Sequence, residues 1–304
     1  MQQDNFLLRE IRTAFSPTGK MLSRIIIINI GVFLMLRLIS LFAFLGATGF
    51  DIENYISYPH FFLALPSGLT NLLYHPWTLI TYAFTHYQLF HLVFNMLWLW
   101  WMGGILTEYL GNKKILPVYM MGSWLGGALY ILFYNVFPYF KNSVEVSSCI
   151  GASAGIMAII LAAATLLPDY AITLFIWHIK LKWLAAIFVA IDLISINFDG
   201  NAGGHISHLG GALFGYFYIA AYRQGNDLSV WFNNVADVFV TLFSGKKKMK
   251  VAHSKPLKKS SAQVKKEEDK QKQIDIILEK ISHSGYDSLS AAEKEILFKA
   301  SNDQ

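Results

Sequence analysis

Residues 25–45 form an apolar run in which Arg37 is the only charge. The run matches the roughly twenty residues a helix needs to cross a bilayer. Inside lipid every backbone polar group must be satisfied within the protein, which leaves helices and closed barrels. Similar apolar stretches recur down the chain, separated by short polar turns. The expected fold is an all-α membrane protein with six transmembrane helices, at about 25–45, 87–106, 115–137, 150–167, 183–196 and 205–222. Arg37 is expected to be bonded inside the bundle or to snorkel toward the surface.

The regions around these spans have distinct characters. Residues 1–24 carry Arg9, Arg12, Lys20 and Arg24 among short apolar pieces and predict an amphipathic segment on the membrane surface. Pro59, Pro66 and Pro76 exclude a continuous helix over 46–76, and so much apolar sequence predicts a first loop that dips into the membrane, continuing through 77–86. The membrane-spanning unit is 25–223. A basic linker follows at 224–266. A small tail at 267–304 predicts a helical hairpin, with Gly285 between its helices and Ser290 and Glu293 forming a capping box.

Charge sets sidedness. Residues 245–304 hold 14 of the 25 Lys and Arg and 9 of the 20 acids, so the rest of the chain is neutral overall. The basic balance belongs to the tail and argues for anionic lipid rather than nucleic acid as its partner. With six spans, Arg9, Arg12, Lys20, Arg24, Lys113, Lys114, Lys180, Lys182 and Arg223 share the side of the termini, against Lys141 opposite. The positive-inside rule then puts both termini in the cytoplasm of an integral protein of the plasma (inner) membrane.

Polar groups inside spans are costly, so they face one another or water. Spans two, four and six each begin on the external side, and each carries polar residues near that end: His91 and Asn95, Ser153, and His208. At about 1.5 Å per residue they form one layer roughly 5–12 Å deep. A serine is a weak nucleophile until a base takes its proton, and histidine is the usual base. His208 is the better candidate because Gly210, Gly211 and Gly215 follow it. Those glycines let span six press on Gly151, Ala154 and Gly155 of span four. His205 competes from one turn earlier without glycines at those offsets. His91 and Asn95, spaced i,i+4, share a face from which they can stabilise an oxyanion with the Ser153 backbone N–H.

These residues together resemble the rhomboid intramembrane serine proteases. The resemblance covers about 24–223 and rests on His86-xxxx-His91-xxx-Asn95, Gly103-Gly104 with Glu108 and Gly111, Gly151-Ala152-Ser153, and His208-Leu209-Gly210-Gly211 with Gly215. It implies Ser153 as nucleophile, His208 as general base, and His91, Asn95 and the Ser153 backbone as oxyanion donors, in a Ser–His dyad without the orienting acid of the usual triad. It implies transmembrane protein substrates, cut near the external ends of their helices. It also implies lateral entry beside span five, with 197–204 as gate. Ala154 stands where the family most often has glycine. Met157 stands where some members stack an aromatic residue on the histidine. Trp77-Thr78 replaces a common Trp-Arg pair.

Other readings carry less. Gly151 to Gly155 also fits Gly-x-Ser-x-Gly, but that elbow needs a strand before it in a soluble sheet. No His-Glu-x-x-His helix is present, so neither metal nor cofactor is expected. Cys149 reads as an inert packing thiol and His86 as a structural histidine. Asp192 is expected to be protonated or bonded to a neighbouring span, at a depth unlike that of the polar layer. The main competitor is a catalytically silent rhomboid-like protein that binds membrane clients; a transporter would show internal repeats, and none is seen.

Overall fold

The computed structural model describes residues 12–16, 19–46, 61–174, 176–197, 200–244 and 261–302. It divides into two compact units, Met1–Phe243 and Ser244–Gln304. Most of the amphipathic N-terminal segment, and residues 47–60 of the first loop, lie outside the described residues.

In the first unit, helix α1 runs Met21–Gly46. The loop that follows contributes strand β1 (Leu65–Pro66), helices α2 (Leu69–Tyr74) and α3 (Thr78–Thr81), and a 3-10 turn over Tyr82–Phe84. Then come α4 (Leu89–Leu110) and α5 (Ile115–Val136), strand β2 (Ser148–Cys149) and α6 (Ser153–Leu166). Strands β3 (Ala171–Leu174) and β4 (Trp177–Lys180) lead to α7 (Leu181–Ser195), α8 (Ala202–Arg223) and α9 (Leu228–Ser244).

Among the described residues, three helices are long and apolar enough to cross a membrane: Met21–Gly46, Leu89–Leu110 and Asn112–Val136. Of the other segments expected as spans, α6 has 14 residues and α7 has 15. At about 1.5 Å per residue α6 is about 21 Å long, short of a hydrocarbon core of about 30 Å. Helix α6 packs between α5 and α8, and nearly every residue from Ala154 to Ala164 is buried. A helix so enclosed needs little lipid-facing surface of its own. Helix α8 has the length but carries glycines, histidines and a serine along it.

The expectation of an all-α chain needs correcting. Leu65 pairs with Cys149 and Pro66 with Ser148 in a short antiparallel ladder. Strands β3 and β4 pair antiparallel as a hairpin in which Ile172 opposes Ile179. β-Branched residues favour this pleated arrangement. Asp169 closes the hairpin, accepting hydrogen bonds from Lys180 (3.0 Å) and Lys182 (2.8 Å). Those two lysines hold the exposed Asp169 carboxyl down at about 2.

The stretch expected as a linker, 224–266, also differs, because α9 occupies much of its first half. Phe232 packs on Trp124 of α5, with ring centroids 5.6 Å apart. Lys114 pairs with Asp227, and Asp227 accepts hydrogen bonds from the Ser229 hydroxyl (2.6 Å) and backbone N–H (3.0 Å). The lysines of 246–266 dominate the composition there and hide the apolar face that precedes them. Arg37 donates to the Tyr87 carbonyl and lies over the Phe33 and Tyr87 rings, at 5.3 and 5.2 Å from their centroids.

Contact between α6 and α8 is backbone to backbone. A Cβ on Gly211 would fall inside the Ala154 carbonyl, and one on Gly215 inside the Ala158 carbonyl. Gly126 of α5 closes the same junction against Ala154 and Ser207. Gly155 has a different neighbour from the one expected: it faces Tyr119 and Ser123 of α5. Gly215→Ala is therefore expected to force the two helices apart and lower stability by about 1–3 kcal/mol or more. Thermal unfolding in detergent, compared with a lipid-facing Leu213→Ala control, measures it.

In the second unit, α10 (Ser261–Ser284) and α11 (Ala291–Asn302) flank a 3-10 turn over Tyr286–Ser288. Glu293 accepts from the Ser290 backbone N–H at 2.7 Å, and its own N–H reaches the Ser290 hydroxyl at 3.4 Å. Lys280 of α10 bonds the same carboxylate at 2.8 Å. Together these hold the exposed Glu293 carboxyl down to about 2 from an ordinary 4.5. A depressed acid stabilises the folded state above its ordinary value and loses that contribution as pH falls through the folded one. The pairing of α10 with α11 is thus expected to persist at pH 4.5 and to fail toward pH 2, followed by carboxyl carbon NMR of labelled Glu293.

Candidate active site

The site is assembled on the 3-10 turn over Tyr82–Phe84. The Tyr82 hydroxyl donates to the Ser123 carbonyl of α5, and the Tyr119 hydroxyl donates to the Ala83 carbonyl. The Tyr82 carbonyl in turn accepts from the Gly151 N–H at 2.9 Å. Together with the β1–β2 ladder, this fixes the strand that delivers Ser153. Gly151 has φ of +123°, a conformation side chains rarely adopt, and a Cβ there would meet the His91 ring at 3.0 Å. The chain turns sharply at this glycine and starts α6 two residues later.

Ser153 is the first residue of α6. Helix geometry leaves its N–H without an intrahelical acceptor, and the helix start favours negative charge. The half-buried side chains of Ser153, His91 and His208 line a cavity of about 400 Å³, with Tyr87, Gln88, Asn201 and Gly204 around them. Cys149 lines it too, and is 7% exposed. Residues from α4, α6 and α8 therefore meet in one polar cleft. Among the described residues Ser153 Oγ makes no hydrogen bond, to His208 or to any other group.

Asn95 is placed otherwise than expected. It is 9% exposed and is not among the residues lining the cavity. Its side-chain amide donates to His86 Nε2 at 2.9 Å, and the Ala152 N–H approaches the same nitrogen at 3.5 Å. His86 is fully buried and packs edge-on against His91, with ring centroids 5.0 Å apart. One Asn95 amide proton thus holds the histidine that backs the Gly151 turn. The i,i+4 spacing with His91 gave no sign of this partner.

Asp192 is bonded to a neighbouring helix, as expected, but its partners are the two histidines of α8 beside the cavity. It lies three residues from the end of α7 at Ser195, and the short connection to α8 brings it level with His205 and His208. His208 Nδ1 donates to Asp192 Oδ1 at 2.8 Å, and His205 Nδ1 donates to the same oxygen at 2.7 Å. The two rings meet edge to face, 5.8 Å apart. Asp192 is 5% exposed, and a buried carboxylate is tolerable when charge or hydrogen bonds compensate it. An arrangement expected to lack an acid thus has one against His208. The available signal was the distance of Asp192 from the 197–204 turn, about one helical turn, which matches the shallow layer.

These three side chains also offer ligand atoms lying within 4.8 Å of one another. Two atoms on a tetrahedral zinc sit roughly 3.3 Å apart, given metal–ligand bonds of about 2.0–2.1 Å. The 2.7 and 2.8 Å separations here are hydrogen-bond lengths with a proton between. The group reads as a proton-bonded cluster.

Gly151→Ala is expected to strain the turn and push the His91 ring. Changed His91 imidazole signals by NMR in a variant that stays folded by thermal unfolding check this; wild-type signals would count against the role given to Gly151.

Comparison with known proteins agrees with the architecture. Residues 74–225 match the model of the Rhomboid domain, half of the chain. Residues 263–303 match a family of unknown function, DUF6576. The chain is 27% identical over 179 residues to Presenilin-associated rhomboid-like protein A, mitochondrial, of Danio rerio, covering 56% of this chain and 42% of that protein. It is 29% identical over 143 residues to Rhomboid protein 1, mitochondrial, of Saccharomyces cerevisiae, covering 46% of this chain and 40% of that protein. A shorter match, 32% over 57 residues, covering 19% of this chain and 21% of that protein, is to Rhomboid protease GlpG of Klebsiella pneumoniae. The match thus spans about two fifths of the first two relatives. With the matched domain enclosing the first-loop turn, the cavity and the three helices that line it, the chain is an integral membrane protein that belongs to the rhomboid family.

Proposed function

We propose that this chain is an intramembrane serine endopeptidase with Ser153 as nucleophile and His208 as general base. The observation that carries this reading is the shared cavity, into which α6 brings Ser153, α8 brings His208 and α4 brings His91. Ser153 Oγ attacks the carbonyl carbon of the scissile peptide while its proton passes to His208 Nε2. The new oxyanion takes hydrogen bonds from the Ser153 N–H and from His91. Asn95 lies behind this oxyanion site and supports it through its bond to His86, which packs on His91. The C–N bond then breaks as His208 returns the proton to the leaving amine. Water, activated by the same histidine, attacks the Ser153 ester and releases the acid.

Substrates are transmembrane proteins, cut near the external ends of their helices. A helical peptide bond is shielded by its own hydrogen bonds, so small or helix-breaking residues are expected near the cut. The chain threads the membrane six times, with α6, α7 and α8 completing the three longer spans. Both termini and the helical tail stand on the cytoplasmic side by the excess of Lys and Arg there. The membrane is the plasma membrane on this reading; the relatives named above from Danio rerio and Saccharomyces cerevisiae are mitochondrial by name.

The second reading, a silent rhomboid-like protein that binds membrane clients, draws on the missing hydrogen bond between Ser153 and His208. Catalytic hydrogen bonds are often long in unliganded sites and tighten around substrate. Purified protein is expected to cut a transmembrane reporter, with Ser153→Ala and His208→Ala each slower by about 10³-fold or more and Cys149→Ala within about twofold of wild type. Equal cleavage by all four proteins sinks the mechanism, and no cleavage by wild type favours the silent reading.

A further inference from the structure

The expected catalytic pair leaves His208 without anything to hold its ring. Met157 occupies the position where some relatives stack an aromatic residue on that histidine. The structure offers another device. Asp192, from the end of α7, takes the His208 Nδ1–H at 2.8 Å. A histidine whose Nδ1 carries the proton has its lone pair on Nε2. That is the tautomer a general base for Ser153 requires.

The carboxylate is itself braced. His205 Nδ1 donates to the same Oδ1 at 2.7 Å, from one turn earlier on α8. Two donors on one oxygen hold the acid in place in a site where it is 5% exposed. The low surrounding polarity strengthens the interaction of a carboxylate with an imidazolium formed beside it.

We propose that Asp192 is a positioning residue for the reaction, holding His208 in tautomer and orientation and stabilising its protonated form, with His205 bracing the carboxylate. The site thereby works as serine, histidine and aspartate instead of as a bare dyad. This rests on the protease reading above. Among the described residues, the titratable groups around His208 are Asp192 on α7, His205 on its own helix, His91 on α4, and Tyr87 and Cys149 across the cavity. Of these Asp192 is the one acid, and it is the group whose charge stabilises the imidazolium.

The test measures kcat and KM for a transmembrane reporter from about pH 5 to pH 9, the range around the ordinary histidine pKa of about 6.5. It uses wild type, Asp192→Asn, Asp192→Glu and Ser153→Ala, each as the full chain. Asp192→Asn is expected to lower kcat at neutral pH at least about tenfold with KM within about twofold. Its acid limb is expected to move to lower pH, because the protonated His208 loses the facing charge. Asp192→Glu recovers part of both. In wild type, a downfield imidazole N–H proton of His208 is expected by NMR with labelled histidine, whether or not the Asn variant folds. An Asp192→Asn variant whose limb stays in place, or the absence of that proton in wild type, overturns the proposal. Cleavage by Ser153→Ala would instead overturn the protease reading itself. A silent Ser153→Ala with an unshifted Asp192→Asn refutes the role of Asp192 alone.

Discussion

The close contact of α8 on α6 is the constraint on which the site depends. Lipid provides no hydrophobic drive between helices, so association rests on packing and on polar bonds. Gly211 and Gly215 remove the side chains that would separate the two backbones, and Ala154 and Ala158 receive them. His208 lies three residues before Gly211, on the same face of α8. Ser153 lies one residue before Ala154. The contact that joins the helices therefore also brings Ser153 and His208 to one cavity. Ala154 in place of the more common glycine keeps its own methyl at this junction, and Gly126 of α5 makes room for it.

A second set of bonds places the start of α6. The turn over Tyr82–Phe84 is held to α5 by two tyrosine hydroxyls and holds the Gly151 N–H in return. His86 carries the bond onward to Asn95 and toward the Ala152 N–H. The described part of the first loop is thus a scaffold for the helix start where Ser153 sits. Gly151 is required by backbone conformation and by the nearness of His91, a different demand from the helix packing expected of it.

Polar groups in this molecule concentrate where three helix ends meet, and there they compensate one another. Asp192, His205 and His208 form a bonded cluster next to the cavity. Buried charge is costly when alone and tolerable when hydrogen-bonded, so a carboxylate here implies its partners. Rhomboid membership accounts for the serine, the histidine and the glycines. The bonded acid joins α7 to α8.

Much was legible from residue order. Apolar run lengths located α1, α4 and α5, and the depth of polar residues in alternate spans picked out His91, Ser153 and His208. The Ser290 and Glu293 capping box was readable because its bonds span three residues. Less legible were the elements whose stability comes from distant partners. The β1–β2 ladder joins residues some eighty positions apart. Helix α9 depends on Trp124, and Asn95 on His86. Asp192 had the right depth in the sequence, but its hydrogen bonds exist only once α7 and α8 fold back on each other. Sequence alone determined that α1, α4 and α5 are long and apolar enough to cross a membrane, because lipid imposes length and polarity rules that act locally along the chain. Only the tertiary structure decided which polar groups bond, since a hydrogen bond depends on separations of about 3 Å that no spacing along a helix specifies.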